Sequence, residues 1–222
     1  DVQAAEVDID KCEGFTPEVL NIDKSVLHAD LNQIIEKITN AKRPVIIGST
    51  GIRLANALNE FEEFANLTGI PVVTAWSHDI IHHDHPNYVG KQGSIGNRAG
   101  NFAVQNADLV IALGTRLSQN LTGGILESFA REAQITMVDI DPHEMSKFDG
   151  NGIDISQRIC AHLSEFLREL EVHLTKASLP KWGEWSKKLD HWKTHFPVDL
   201  SPSPNSNKKC LDANSFVDHL SS

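Results

Sequence analysis

The sequence has few cysteines, no long apolar run and no excess of positive charge, and each shortage excludes a class of protein. Cys12, Cys160 and Cys210 are odd in number, widely spaced and form no CxxC pair. This pattern favours reduced thiols in a cytoplasmic protein over a disulfide framework. No apolar run approaches the roughly 20 residues that span a bilayer. No basic segment followed by an apolar one indicates a signal peptide.

The charge balance is acidic, with 30 Asp and Glu against 20 Lys and Arg and a formal net charge of −10. A nucleic-acid partner requires a basic face for its phosphates, and anionic membranes attract polybasic segments. The composition therefore predicts neither a nucleic-acid nor a membrane partner. The chain begins at Asp1 without an initiator methionine, from which we expect a fragment or a processed product.

Short apolar runs carry the secondary-structure signal. Continuous β-branched runs predict buried parallel strands, and apolar residues at spacings of three and four predict helices. Strands alternating with helices indicate βαβ units, and hence a three-layer α/β domain with a doubly wound, Rossmann-like parallel sheet. Strands are predicted at 45–47, 72–75, 109–113, 135–139 and 153–155, helices at 27–42, 54–64, 99–106, 125–133, 158–172 and 182–192, and a His- and Gly-rich loop at 77–97.

Composition changes along the chain predict its domain organisation. Residues 1–24 are interpreted as a lead-in, 25–175 as the α/β domain, 176–211 as a helix and linker, and 212–222 as the start of a further domain. One stripe of the late helix is apolar, and such a stripe is usually buried against a neighbour. Here we expect the neighbour to be a domain outside this sequence. The stripe consists of Trp182, Trp185, Leu189 and Trp192.

Four segments between Arg43 and Lys147 carry a family resemblance. They are RPVIIGSTG, GIPVVTAW, DHPNYVGKQGSIGNRAGNFAVQNADLVIALGTRLS and ITMVDIDPHEMSK. In this order they resemble the middle domain of thiamine diphosphate enzymes such as acetolactate synthase, pyruvate oxidase and related decarboxylases. Within that superfamily GNRAGNFAVQNADL, GTRLS and FAREA are most similar to acetolactate-synthase-like proteins of bacterial surface-polysaccharide gene clusters.

The resemblance implies a parallel sheet of about six strands that lies between two catalytic domains of a longer parent. Residues 1–3 are similar to the end of a pyrimidine-binding domain, and 212–220 to the first helix of a diphosphate-binding domain. The parent is expected to be a homo-oligomeric transferase or lyase that forms or cleaves a carbon–carbon bond at a 2-keto acid. Its thiamine diphosphate and Mg²⁺ are expected outside this chain, which has no GDG followed by an Asn pair. We therefore predict no catalytic residue here and no activity of this chain alone.

The turn Gly48-Ser49-Thr50-Gly51 is a candidate nucleotide-binding segment. It lies between a predicted strand and a predicted helix, where backbone N–H groups can hold a phosphate. In flavin-binding relatives this turn is a glycine run, and here Ser49 and Thr50 replace glycines. A tight turn that only the fold requires explains the segment equally well.

Three further positions complete the candidate site. Gly93-Ser94 and Gly114-Thr115-Arg116 align with segments that flank the flavin in acetolactate synthase, and the planar Arg116 fork suits a pyrophosphate. Asp139 ends a strand and can accept ribose hydroxyls. Ser118 and Asn120, however, replace the acidic and basic residues of flavin binders. FAD or ADP remains an alternative here, and we expect the pocket to hold neither.

Two other ligands are disfavoured. An NAD fingerprint needs GxGxxG and an acid after the second strand, where this chain has Trp76-Ser77. The histidines of the long loop do not follow HExxH and have no nearby cysteine, which predicts a solvated loop and no metal. The His85-Pro86 pair is typical of a loop turn in the family. The loop histidines are His78, His82, His83 and His85.

Two other functions stay open beside that of an enzyme domain. A stand-alone nucleotide-binding module with this fold would bind FAD, ADP or NAD by itself. An independent Rossmann dehydrogenase is disfavoured, because both the glycine fingerprint and the acid are missing. Fold alone does not separate these functions.

Overall fold

A computed structural model describes residues 5–16, 24–76, 79–197, 216–217 and 219–220 of the chain. Six parallel strands form one sheet in the order β3-β2-β1-β4-β5-β6. The strands are β1 (Pro44–Gly48), β2 (Val72–Thr74), β3 (Tyr88–Lys91), β4 (Leu109–Leu113), β5 (Gln134–Asp139) and β6 (Ile155–Cys160). The helices are α1 (Lys24–Asn40), α2 (Thr50–Leu54), α3 (Leu58–Thr68), α4 (Arg98–Gln105), α5 (Gln119–Thr122), α6 (Pro142–Ser146), α7 (Leu163–Leu174) and α8 (Gly183–His195).

The two central strands explain why the sheet forms. Every residue of β1 and β4 is buried, as expected for parallel strands with helices on both faces. Helices α1 and α3 contact α7, while α4 contacts α8. The strand order reverses between β1 and β4, which creates a crevice at their carboxyl ends. The predicted three-layer, doubly wound Rossmann-like sheet is confirmed.

One predicted helix is wrong, and a second begins later than predicted. The segment 125–133 forms only a 3₁₀ turn at Leu126–Ser128, because Ala130 takes a left-handed backbone (φ 43°) that stops a helix. The helix expected from Arg158 starts later, at Leu163, because residues 158–160 complete β6. Burial alternates along β6, with Ile155, Gln157 and Ile159 facing inward, which is the period of a strand.

Two further elements differ from the prediction. Strand β3 lies inside the expected loop 77–97 and forms one edge of the sheet. The helix expected over 54–64 is two helices, α2 and α3, separated where Asn56 takes a positive φ of 52°. Leu54, the first residue of the predicted helix, ends α2 with 81% of its surface exposed and contributes to no buried apolar face.

The tryptophan stripe of α8 packs on this domain, not on a neighbour outside the chain. The indole N–H of Trp182 donates to the Ala41 carbonyl at 2.9 Å, and that of Trp185 donates to the Pro44 carbonyl at 3.1 Å. Both rings and Leu189 are buried. The expected exposed patch is therefore absent at these three positions, and α8 closes the core next to β1.

Some predictions fall partly outside the described residues. The linker 201–209 and most of 212–222 lie outside them, although 216–217 and 219–220 are helical. In the lead-in, 5–16 are exposed and contain a 3₁₀ turn at Ile9–Lys11. The domain boundaries therefore stay predictions. None of the described helices is both long enough and apolar enough to cross a membrane.

Candidate functional site

A pocket of about 690 Å³ opens at the carboxyl edge of the sheet, where β1, β4, β5 and β6 end. In open α/β sheets this edge, next to the reversal of strand order, is where ligands bind. The volume lies within the roughly 300–1,000 Å³ of small-molecule sites. The apolar walls include Leu54, Trp76, Leu121, Ile140 and Leu163, and the polar lining includes Ser49, Thr50, Thr115, Arg116, Ser118, Asp139, Lys147 and His162.

Two glycines form the floor on the side of β1 and β4. The Gly51 amide donates to the Gly114 carbonyl at 3.0 Å. A Cβ atom on Gly51 would lie 2.5 Å from the Gly114 Cα, and one on Gly114 would lie 2.7 Å from the Gly51 Cα. Gly114 also has a φ of +56°, where glycine is favoured. The turns after the two central strands therefore touch through their backbones.

The cations at the rim share one carboxylate. Arg116 binds Glu144 through Nε and a terminal nitrogen, both at 2.7 Å from Oε1. Lys147 Nζ donates to Glu144 Oε2 and to the Arg116 carbonyl, each at 2.5 Å. Burial alone would raise the pKa of Glu144, but the hydrogen bonds from Arg116 and Lys147 outweigh it, so the pKa lies below its ordinary value. The Arg116 guanidinium, which was predicted to bind a pyrophosphate, is therefore already paired with a carboxylate of the chain.

Asp139 is the acid at the base of the pocket. It ends β5 with 9% of its surface exposed, and its Oδ1 accepts the Asp141 amide at 3.0 Å. Burial, and repulsion from Glu144 and Asp141, raise the pKa of Asp139 despite that hydrogen bond. Asp141 caps α6 through the His143 amide at 2.9 Å with Pro142 following it, as the sequence predicts.

The structure brings seven of the ten predicted site residues into the pocket lining. They are Ser49, Thr50, Gly51, Gly114, Thr115, Arg116 and Asp139. Gly48 lies outside the lining, and a Cβ there would come within 2.8 Å of the Ile80 side chain, so its smallness serves the core. Gly93 and Ser94 lie beside the pocket, where the Ser94 amide donates to the Asn120 carbonyl at 2.8 Å.

The turn at 48–51 is weaker as a phosphate site than its sequence suggests. Helix α2 has only five residues, so few peptide dipoles add up at its start. Ser49 occupies the N-cap position but makes no capping hydrogen bond with its side chain. The structure thus supports the reading of this turn as a tight connection that the fold requires.

Ten lining residues were not predicted as site residues, and three of them have aromatic or titratable side chains. Trp76 follows β2 with 50% of its surface exposed, Lys147 follows α6, and His162 follows β6 and bonds Ser164 at 2.9 Å. Trp76 and His162 follow strands, and every such turn of a parallel sheet lies at the same edge. Their position after a strand could therefore identify Trp76 and His162 from the sequence. The position of Lys147 depends instead on how α6 packs.

The described loop histidines do not form one common group. His82 and His83 lie with Asp84 in an exposed group whose ligand atoms fall within 4.8 Å of one another. His85 is buried, with Nε2 3.0 Å from Asn66 Oδ1 and Nδ1 accepting the Asn87 amide at 3.2 Å. His85 therefore fixes the turn that its pairing with Pro86 predicts. His78 lies outside the described residues.

The pocket does not fit thiamine diphosphate with its Mg²⁺. Protein-bound Mg²⁺ is held by one or two carboxylates together with phosphate oxygens. Asp139 is the one carboxylate among the described lining residues, and it already accepts a backbone amide. The rest of the lining offers the glycine floor of Gly51 and Gly114 and the half-exposed ring of Trp76.

Comparison with known proteins gives the family. Residues 31–170 match the model of the thiamine pyrophosphate enzyme, central domain. Because the match covers more than half of the chain, the chain belongs to this family. Thiamine diphosphate, also called thiamine pyrophosphate, is the cofactor after which this family of enzymes is named.

Relatives of the chain include acetolactate synthases and probable acetolactate synthases. The chain is 32% identical over 187 residues to a probable acetolactate synthase large subunit from Methanococcus aeolicus, covering 80% of this chain and 30% of that protein. It is 35% identical over 199 residues to a probable acetolactate synthase large subunit from Methanocaldococcus jannaschii, covering 85% of this chain and 32% of that protein. It is 36% identical over 121 residues to the large subunit of acetolactate synthase isozyme 2 from Escherichia coli, and this match covers 54% of this chain and 22% of that protein. The chain thus spans under a third of each of these relatives, and its similarity to an acetolactate-synthase-like central domain is confirmed.

Proposed function

We propose that this chain is the structural centre of a thiamine diphosphate-dependent transferase or lyase that forms or cleaves a carbon–carbon bond at a 2-keto acid. The family match over 31–170 carries the proposal. Thiamine diphosphate supplies the nucleophilic carbon and the electron sink for such chemistry. The pocket here does not suit it, so it and Mg²⁺ belong to flanking pyrimidine- and diphosphate-binding domains of a homo-oligomeric parent.

In this proposal the residues of this chain hold its turns and helices in place and take no part in the reaction. The Gly51–Gly114 contact fixes the two turns at the sheet's switch point, and the indoles of Trp182 and Trp185 fix α8 next to β1. Residues 25–175 then form the central domain, which α8 extends, and 212–222 lead into the diphosphate-binding domain. The proposal includes a cytoplasmic location for the parent, for which free cysteines such as Cys12 and Cys160 are typical.

The test compares two proteins under one assay. The product of the full gene should form acetolactate from pyruvate when thiamine diphosphate and Mg²⁺ are present. The 222-residue chain should form none and show no calorimetric binding of that cofactor. Turnover or tight cofactor binding by the chain alone would overturn the proposal, as would a gene that encodes neither flanking domain.

A nucleotide-binding module is the second candidate, and the pocket is the observation that favours it. Seven predicted residues and the Trp76 ring meet there. Against it stands Glu144, which already neutralises Arg116 and Lys147. Titration of the chain with FAD and with ADP decides between the two. Saturable binding that Trp76→Ala weakens while Trp192→Ala does not supports the module, and no binding up to millimolar ligand rejects it.

A further inference from the structure

A second concave surface lies away from the pocket, between the edge strand β3, the start of α4 and the end of α8. It has a volume of about 980 Å³ and is named here the edge groove. Its cationic residues come from three different elements. They are Lys91 of β3, Arg98 of α4 and Lys193 of α8.

The charge of the edge groove is opposite to that of the chain. The whole sequence carries a net charge of −10, yet no Asp or Glu occurs among the groove's described lining residues. His83 also lines the edge groove, and its Nε2 lies 3.2 Å from Oδ1 of Asp84, a carboxylate outside the lining. Three permanent cations without a lining carboxylate make a local positive potential that attracts anions.

Arg98 is held in place without being neutralised. Its guanidinium lies 5.4 Å from the centre of the Phe196 ring, a cation–π distance. Phe196 packs edge-on against Phe102 with centroids 5.5 Å apart, and Phe102 packs against Trp192 in the same way. Within the described residues no carboxylate lies within 4 Å of Arg98 or Lys91, so both cations are open to a ligand.

Lys193 brings the third charge to the same strand. Its Nζ donates to the Tyr88 carbonyl at 2.9 Å, which draws the end of α8 onto the edge of β3. A carbonyl oxygen satisfies one of the three ammonium donors and leaves the charge in place. Ile95, Val89 and Phe196 add apolar wall between the cations.

We propose that the edge groove binds a phosphorylated small molecule, whose phosphate groups meet Arg98, Lys91 and Lys193 and whose apolar part lies against Phe196 and Ile95. A planar guanidinium is matched to phosphate because it donates two parallel hydrogen bonds. The pocket at the carboxyl edge lacks this property, since Glu144 already pairs Arg116 and Lys147. The edge groove is thus an anion site independent of the proposed function.

Calorimetric titration of the 222-residue chain with inorganic pyrophosphate at low ionic strength tests the proposal. We expect one saturable site, weakened as salt is raised, since exposed charges are screened. Arg98→Gln should weaken binding about tenfold or more, the usual effect of losing a hydrogen bond to a charged group. Lys193→Gln should weaken it several-fold.

Two variants with the same charge change serve as controls. Arg131→Gln removes an exposed cation outside both sites, and Arg116→Gln removes one from the pocket; both should leave the pyrophosphate affinity within about twofold of the parent value. Thermal unfolding of each variant verifies folding. Absence of saturable binding, unchanged affinity in Arg98→Gln, or a loss confined to Arg116→Gln overturns the proposal. Binding only of an acidic peptide offered in parallel also overturns it.

Discussion

The amide nitrogen of Gly51 and the carbonyl oxygen of Gly114 lie 3.0 Å apart and join the turns that follow the two central strands. The residues are 63 positions apart in sequence numbering (114 − 51) and meet because β1 and β4 are neighbours in register. This contact leaves no space for a side chain on either residue. The floor of the pocket is therefore defined by two backbones.

Gly51→Ala should destabilise the domain by about 1–3 kcal/mol, because the new methyl group would lie 2.5 Å from the Gly114 backbone and must displace it. Chemical denaturation monitored by tryptophan fluorescence measures this loss. Gly183→Ala is the matched control, since nothing lies within 4 Å of its Cβ position at the start of α8. Equal stability of the two variants would show that the turns separate easily.

Trp185→Ala should lower the free energy of unfolding by about 3–5 kcal/mol, the usual loss when a large buried aromatic is removed. The ring is 3% exposed and its indole donates to the Pro44 carbonyl. Lys187→Ala, on the exposed side of the same helix, should change stability by less than about 0.5 kcal/mol. A Trp185→Ala protein as stable as its parent would mean that α8 is not part of the core.

Glu144→Gln should cost about 1 kcal/mol at neutral pH, because one charged acceptor serves both Arg116 and Lys147. The folded pKa of Glu144 is lowered, so its contribution is present above the unfolded value of about 4.3 and disappears as the pH falls through the folded pKa. Thermal denaturation of both proteins between pH 3 and 7 checks this. The difference in Tm should shrink in acid, and a constant difference contradicts the pairing.

Asp139→Asn should have the opposite effect and raise Tm at neutral pH. Burial raises the folded pKa of Asp139, so its contribution to stability is present below the unfolded value of about 3.9 and is lost as the pH rises through the folded pKa. Asparagine retains an acceptor for the Asp141 amide without the buried charge. The advantage should vanish in acid. Asp141→Asn is the comparison, because its lowered pKa gives no such gain.

The sequence predicts the strands of this fold better than the segments between them. In β1 and β4 every residue is buried and the apolar runs are continuous, so pattern and structure agree. In β6 the buried Gln157 interrupts the apolar alternation, and Ile159 then fits a helical spacing equally well. Strand β3 contains only four residues with Gly90 among them, too short for periodicity to separate it from a loop.

In the candidate site, too, residues at strand ends are easier to predict than residues in the segments between strands. Asp139, the last residue of β5, was predicted because a parallel sheet places all its strand ends at one edge, whereas Gly114 was predicted from the resemblance to flavin-binding relatives. The state of Arg116 was not predictable, since its partner Glu144 lies 28 residues away on a helix of five residues. The packing partner of α8 could not be predicted from the sequence either, because an apolar stripe shows that a helix is buried on one side but does not identify the element that buries it.

The two indole hydrogen bonds of α8 have a consequence for synthesis on the ribosome. Trp182 and Trp185 each donate to a carbonyl 141 residues earlier, that of Ala41 just before β1 and that of Pro44 at its first residue. At about 5–20 residues per second, that strand waits roughly 7–28 s for its closing helix to be translated. During this interval the amino end of β1 lacks the two hydrogen bonds that these indoles donate beside it in the folded chain.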